Sequence, residues 1–202
     1  MRKSKEEAEK TRYAVLEAAL DVFSEKGYAK ATFDEIATRA GYTKGAVYWY
    51  FKNKADLVSS LIAEYVLRKQ EQIASLLPKG NTLDDLLKYF EIWSEVSQSD
   101  VRFGKFRRFI LCQMEWSEAL VEKVEQNLAK IKNGHLEKIN HVLVESRRKG
   151  VLKEDTDIDK VQHSILSAYM GIMFSYLSKR FVYSATEMVH IGLGLMLEGL
   201  KK

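Results

Sequence analysis

The stretch that decides the fold is Thr32 to Leu57, TFDEIATRAGYTKGAVYWYFKNKADL. Thr32 and Glu35 stand in the S/T-x-x-E pattern of a capping box, in which each side chain satisfies a free backbone N–H at a helix start. Phe33, Ile36, Ala37 and Ala40 then repeat at helical spacing, which predicts a short helix with one apolar face. Gly41 follows, and glycine supplies the positive φ that commonly ends a helix. Thr43 suits the cap of a second helix carrying Lys44, Gly45, Val47, Tyr48, Trp49, Tyr50 and Phe51. A helix, a short turn with glycine and a second helix are the parts of a DNA-binding helix-turn-helix.

The second of these helices has two unlike faces. Val47 and Phe51, four residues apart, suit a small core, while Gly45, Tyr48, Trp49 and Lys52 share the opposite side. Two aromatic groups turned toward water on so short a helix are explained by a nucleic-acid partner. Phenol and indole rings meet phosphates and thymine methyls, lysine neutralises charge, and glycine lets the backbone come close.

The composition fits an all-α protein. The chain has 202 residues, of which 46% are hydrophobic and 30% charged, with only one proline and eleven glycines to make turns. Its length allows a substantial core in one large or two small domains. The net charge of +4 is mildly basic, and up to residue 54 eleven Lys and Arg stand against eight Asp and Glu, so the excess favours the N-terminal quarter. Cys112 is the single cysteine, which excludes an internal disulfide and predicts a cytoplasmic protein. The basic start is not followed by an apolar segment, so no signal peptide is expected, and the apolar run Ile165 to Leu177 is too short to span a membrane.

Periodicity predicts the remaining helices. One runs from about Glu6 to Lys26 and closes at Gly27, with Arg2, Lys3 and Lys5 before or at its start as either a DNA-reaching arm or a solvated tail. Another runs from Lys54 to about Leu77, where Pro78, Gly80 and Asn81 end it. Residues 82–115 read as two helices with a break near Asp100, and 117–149 as one long helix. Two final helices cover about 158–177 and 184–200. Arg102, Lys105, Arg107 and Arg108 alternate with Phe103, Phe106 and Phe109, which reads as an ordinary amphipathic helix or, less simply, a second nucleic-acid surface.

No catalytic or metal constellation emerges. His135 and His141 do not form H-E-x-x-H, and His135 lies on an apolar stripe, as a hydrogen-bonded core or pocket histidine does. Cys112 lacks a CxxC partner, and Gly192-Leu193-Gly194 follows no strand, so no cofactor is expected. Large aromatic and methionine side chains gather in the C-terminal part, an adaptable lining for an apolar ligand.

The pattern Thr32, Ile36, Ala37, Ala40, Gly41, Thr43, Gly45, Val47, Tyr48, Tyr50, Phe51, Lys54 and Leu57 closely resembles the N-terminal domain of TetR-family transcriptional repressors, and most of all the branch that controls multidrug efflux. Tyr50 departs from the histidine more usual there, although both donate to phosphate. The resemblance implies a three-helix helix-turn-helix domain over residues 1–53 and a larger helical ligand-binding and dimerisation domain over 54–202. It implies DNA contacts from Thr32, Thr43, Lys44, Gly45, Tyr48, Trp49, Tyr50 and Lys54, with Lys54 on a phosphate. It also implies an inducer pocket, for which Phe90, Trp93, Phe106, Phe109, Gln113, Met114, His135, Tyr169 and Met173 are candidates, with Glu115 as a further polar contact. A homodimer paired through the last two helices is implied as well, with Gly171, Ser175, Gly192, Gly194 and Leu195 at its interface. The expected partners are operator DNA, a small apolar inducer and a second copy of the chain, with no membrane. The rival reading is a helical enzyme or carrier whose N-terminal unit is only structural, or, within the regulators, one that answers to fatty-acyl ligands.

Overall fold

The structure, a computed structural model, describes residues 5–131, 134–180 and 182–202. Among these the chain is helical, with one isolated antiparallel bridge between Leu152 and Lys201. The helices are α1 (Lys5–Lys26), α2 (Phe33–Ala40), α3 (Lys44–Tyr50), α4 (Lys54–Ile73), α5 (Leu83–Ser99), α6 (Val101–Arg108), α7 (Glu118–Leu128), α8 (His135–Arg148), α9 (Ile158–Leu177) and α10 (Ala185–Glu198). Two compact units result, one of Met1–Arg68 with Phe109–Lys130 and the other of Lys69–Arg108 with Ile131–Lys202. α4 begins in the first unit, and its last turn belongs to the second.

In the first unit α1, α2 and α3 close on a core of Leu16, Leu20, Phe23, Ile36, Val47 and Phe51. Gly27 (φ 83°) and Gly41 (φ 74°) turn the chain at the ends of α1 and α2 in the left-handed region that side chains avoid. The start of α4 adds Leu57, Val58 and Leu61 to the same core. Arg12 of α1 pairs with Glu64 of α4 at 2.7 Å, fixing the two helices across their partly open edge. α7 is tied to α4 by Lys123 with Asp56 at 3.1 Å and by Asn127 donating to the Ser59 hydroxyl at 3.1 Å.

In the second unit α10 packs on α5 and α9, and α8 packs on α9 and α5. Leu86, Phe90, Trp93, Ile139, Leu143, Tyr169, Met173, Val189 and Leu193 fill the space between them. Gln98, near the end of α5, donates to Thr186 at 2.7 Å and accepts from the Ala185 backbone at 3.3 Å, holding the first turn of α10.

The predicted helices are recovered with three differences. The long helix expected over 117–149 is two: α7 stops at Leu128, and Gly134 takes the N-cap of α8 in extended backbone (φ −64°, ψ 170°). The apolar period continues across the gap because both helices bury the same kind of face, and periodicity alone does not see the glycine that separates them. The Ile131 end of that stripe adjoins residues 132–133, which lie outside the described residues. α4 ends at Ile73 rather than near Leu77, in a turn before Pro78. Finally, α6 widens into a π-helical turn over Phe109–Gln113, one extra residue per turn, instead of continuing as α-helix. Arg2 and Lys3 of the proposed arm lie outside the described residues, and Lys5 is exposed at the start of α1.

Candidate nucleic-acid interface and aromatic cluster

The α2–turn–α3 segment is built by its caps. The Glu35 backbone N–H donates to Thr32 Oγ1 at 3.3 Å, and the Glu35 carboxylate accepts from the Thr32 backbone N–H at 3.0 Å, a complete capping box. The Lys26 ammonium first, and these bonds with Thr32 second, hold the Glu35 carboxyl below its usual pKa. Thr43 Oγ1 accepts from the Ala46 N–H at 3.3 Å and starts α3. Val47 then points into the core and is fully buried, while the opposite face of α3 is open.

That open face carries the predicted DNA-contacting groups. Trp49 is 81% exposed and Tyr48 52% exposed, although the Tyr48 ring rests on Phe33 with centroids 4.8 Å apart. Thr32, Thr43, Lys44 and Gly45 are exposed, and Tyr50 and Lys54 half-buried. A Cβ built on Gly45 would meet only Thr43 Oγ1, at 3.9 Å, so no neighbour within the chain requires a glycine there. The Lys44 ammonium pairs with Asp34 at 2.6 Å, and this partner raises its pKa. The Lys54 ammonium donates to the carbonyls of Tyr28 (3.0 Å) and Ala29 (2.8 Å) and lies 5.0 Å from the Tyr28 ring. Those bonds tie the loop after α1 to the start of α4, and an ammonium has a third proton left for another acceptor.

With this geometry in view, residues 15–61 match the family described as bacterial regulatory proteins, tetR family. That segment is the N-terminal domain of the tetR family of bacterial regulatory proteins. The chain is 29% identical over 183 residues to the probable HTH-type transcriptional regulator ArpR of Pseudomonas putida, covering 88% of this chain and 85% of that one. The fold is also that of NalD, the secondary repressor of the MexAB-OprM multidrug efflux pump in Pseudomonas aeruginosa, at TM-score 0.75 and 24% identity over 97% of this chain and 98% of that one. FadR of Bacillus subtilis in complex with stearoyl-CoA is similar in fold at TM-score 0.79 and 22% identity, over 93% and 98% of the two chains. These relatives are named as transcriptional regulators or repressors. Among the described residues no group of His, Cys, Asp and Glu could hold a metal, and no helix is long and apolar enough to cross a membrane.

The candidate pocket residues divide between the two units of the chain. Phe90, Trp93, Phe106, His135, Tyr169 and Met173 belong to the second, and all but His135 are buried. His135 as a whole residue is half-buried, but its ring lies 5.0 Å from Trp93, 5.5 Å from Tyr89, 5.6 Å from Phe90 and 5.7 Å from Tyr169. Its Nδ1 is 2.9 Å from the Tyr89 hydroxyl. Burial first, and the charge of Arg107 second, push its pKa down to about 3, so the ring is neutral at pH 7. Burial likewise raises the Tyr89 phenol. Phe109, Gln113 and Met114 belong to the first unit: Phe109 stacks on Phe23 of α1 at 5.3 Å, Gln113 and Glu115 are exposed, and Met114 is half-buried.

Two members of the aromatic cluster, Tyr89 and Arg107, were not picked out from the sequence. Arg107 is buried at 7% exposure, against the reading of its helix as an arginine-rich outer face. The signal was present, since Phe103 and Arg107 are four residues apart and share one side of α6. On the last two helices, Gly171 is exposed with open space around it, and Leu195 is 73% exposed. Gly192, also exposed, would bring a Cβ to 3.2 Å from Ile172 of α9, so it serves close packing inside the chain. Gly194 faces Leu87 of α5 in the same way, at 3.7 Å, and Ser175 is half-buried.

Proposed function

We propose that the chain is a ligand-responsive repressor that binds a pseudo-palindromic operator as a homodimer and is released by a small apolar inducer. The observation that carries this reading is the outer face of α3, where Trp49 and Tyr48 stand exposed beside a glycine that packing does not require. In this reading residues 1–53 bind DNA and residues 54–202 bind ligand and dimerise, a division of labour distinct from the division into packing units. Tyr48, Lys44 and Gly45 lie nearest base edges, while Thr32, Thr43, Trp49, Tyr50 and Lys54 hold phosphates and set register. Lys44 exchanges Asp34 for the duplex, and Lys54 adds a phosphate through its remaining proton. Two α3 helices enter successive major grooves about 34–36 Å apart.

The inducer binds among the aromatic groups of the second unit and favours a conformation with lower operator affinity, by no more than its differential affinity for the two states. Control of an efflux transporter from the cytoplasm is the setting that the named efflux-pump repressor supports. A fatty-acyl ligand is the second reading, favoured by the likeness to FadR with stearoyl-CoA.

Substitution of Tyr48 and of Lys54 tests the assignment of roles. Tyr48→Ala is expected to cost specific binding on the order of 1–3 kcal/mol and to leave nonspecific binding close to wild type. Lys54→Ala is expected to weaken binding to every sequence and to lower the salt slope by about one phosphate contact. Equal effects of the two on specific and nonspecific DNA would contradict the roles given to them.

A further inference from the structure

The buried guanidinium of Arg107 lies in the second unit, in the last turn of α6, and has little to hold its charge. Its Nη1 donates to the Tyr169 hydroxyl at 3.2 Å, and the ring centroids of Tyr169 and Phe103 lie 5.4 and 6.0 Å from its Cζ. Among the described residues it has no carboxylate partner, although it is only 7% exposed. A guanidinium offers five N–H donors and keeps its charge in a protein, so this site carries a cation whose hydration has been removed without an anion in return. The rings around it give no counter-charge: His135 is a neutral base and Tyr89 a neutral phenol. The indole N–H of Trp93 is a second buried donor here, close enough to the Tyr89 phenol to oppose the upward push of burial on its pKa but without a well-formed hydrogen bond. Trp93 joins the same ring cluster through His135 at 5.0 Å and Phe103 at 5.9 Å.

We infer that Arg107 receives an oxyanion head, so that the ligand of the second unit is an amphipathic molecule with an apolar body and a single carboxylate-like anion. Arginine meets such a group through two parallel N–H···O bonds, roughly twice as strong as bonds between neutral groups. Phe90, Trp93, Phe103 and Tyr169 give the apolar body its surroundings, and the Tyr169 hydroxyl orients the fork of the guanidinium. The inference rests on the reading that the second unit binds an apolar ligand, and it adds what that reading lacks: a charge requirement.

Titration calorimetry on the full chain tests it, with a graded series of straight-chain alkyl carboxylates and phosphates and the alcohols of matched length. The acids of one length are expected to bind at least about tenfold tighter than the alcohol. Arg107→Met is expected to remove that difference, while Arg107→Lys keeps a part of it. Without ligand, the Met variant is expected to melt at or above the wild-type temperature, because it relieves an uncompensated buried charge. Equal affinity for acid and alcohol in the wild type would overturn the charge requirement and leave the apolar-ligand reading standing. No binding by any member of the series would remove both. An acid preference that persists in Arg107→Met would also overturn it, as would loss of folding in both Arg107→Met and Arg107→Gln, which assigns the guanidinium to holding the fold.

Discussion

Gly45 occupies the second position of α3 with open space where a side chain would stand, the nearest atom being Thr43 Oγ1 at 3.9 Å. Alanine there should stabilise the protein by a few tenths to about 1 kcal/mol, since glycine is a poor helix former. It should weaken operator binding at the same time if the backbone approaches the duplex at this residue. Urea denaturation and fluorescence anisotropy on one variant measure both, and a gain in stability without loss of binding would contradict the close approach. His135 makes a second residue-scale prediction. Its folded pKa lies far below the unfolded value, so the unfolded chain takes up a proton first as pH falls from about 6.5 toward 3. Its contribution to stability is therefore full above that window and is lost as pH drops through it, with a slope of at most about 1.4 kcal/mol per pH unit. His135→Phe should flatten the pH dependence of the urea midpoint across this window, and an unchanged slope would contradict neutral burial of the ring. Much of this scale was legible in sequence: the Thr32–Glu35 box and the inward Val47 follow from spacing alone. Arg107 was not, because composition marks arginine as a surface residue and only the Phe103 register on α6 points it inward.

At the scale of elements, α1 to α3 were readable because each carries its own start and stop. Thr32, Gly41 and Thr43 act within four residues of where they stand, and Gly27 closes α1 just past its last residue, Lys26. Thr32→Ala should accordingly cost about 1 kcal/mol, read as a lower urea midpoint with unchanged m; no shift would contradict the capping role. The stretch 117–149 was misread for the complementary reason. Its break depends on Gly134 capping α8, with no side-chain cap on either helix, and an unbroken apolar stripe runs through it. The π turn at Phe109–Gln113 is likewise invisible to period counting. The π turn follows a segment whose Arg107 is turned inward, and it begins with Phe109 stacked on Phe23.

For the whole molecule, the exposed apolar residues of α10 mark where a second copy docks in the proposed dimer. Leu195 and Ile191 are 73% and 49% exposed on α10, and Gly171 on α9, the other helix of the candidate interface, has open space around it. Leu195→Glu would bury a charge in that interface and should give a monomer in analytical ultracentrifugation at micromolar protein. A wild-type monomer under the same conditions would contradict the dimer itself. The all-helical class and the regulator reading followed from the N-terminal motif, whereas the identity of the ligand depends on side chains brought together from α5, α6, α8 and α9. No local spacing encodes that meeting. The central claim is that the exposed face of α3 reads a sequence in duplex DNA. Selection of bound duplexes from a random pool by the full chain, followed by sequencing, addresses it most directly. The account predicts enrichment of an inverted repeat with half-sites about one helical turn apart, lost when Tyr48 is replaced by alanine. An unenriched pool, or an enriched sequence bound equally well by the Tyr48→Ala protein, would contradict it.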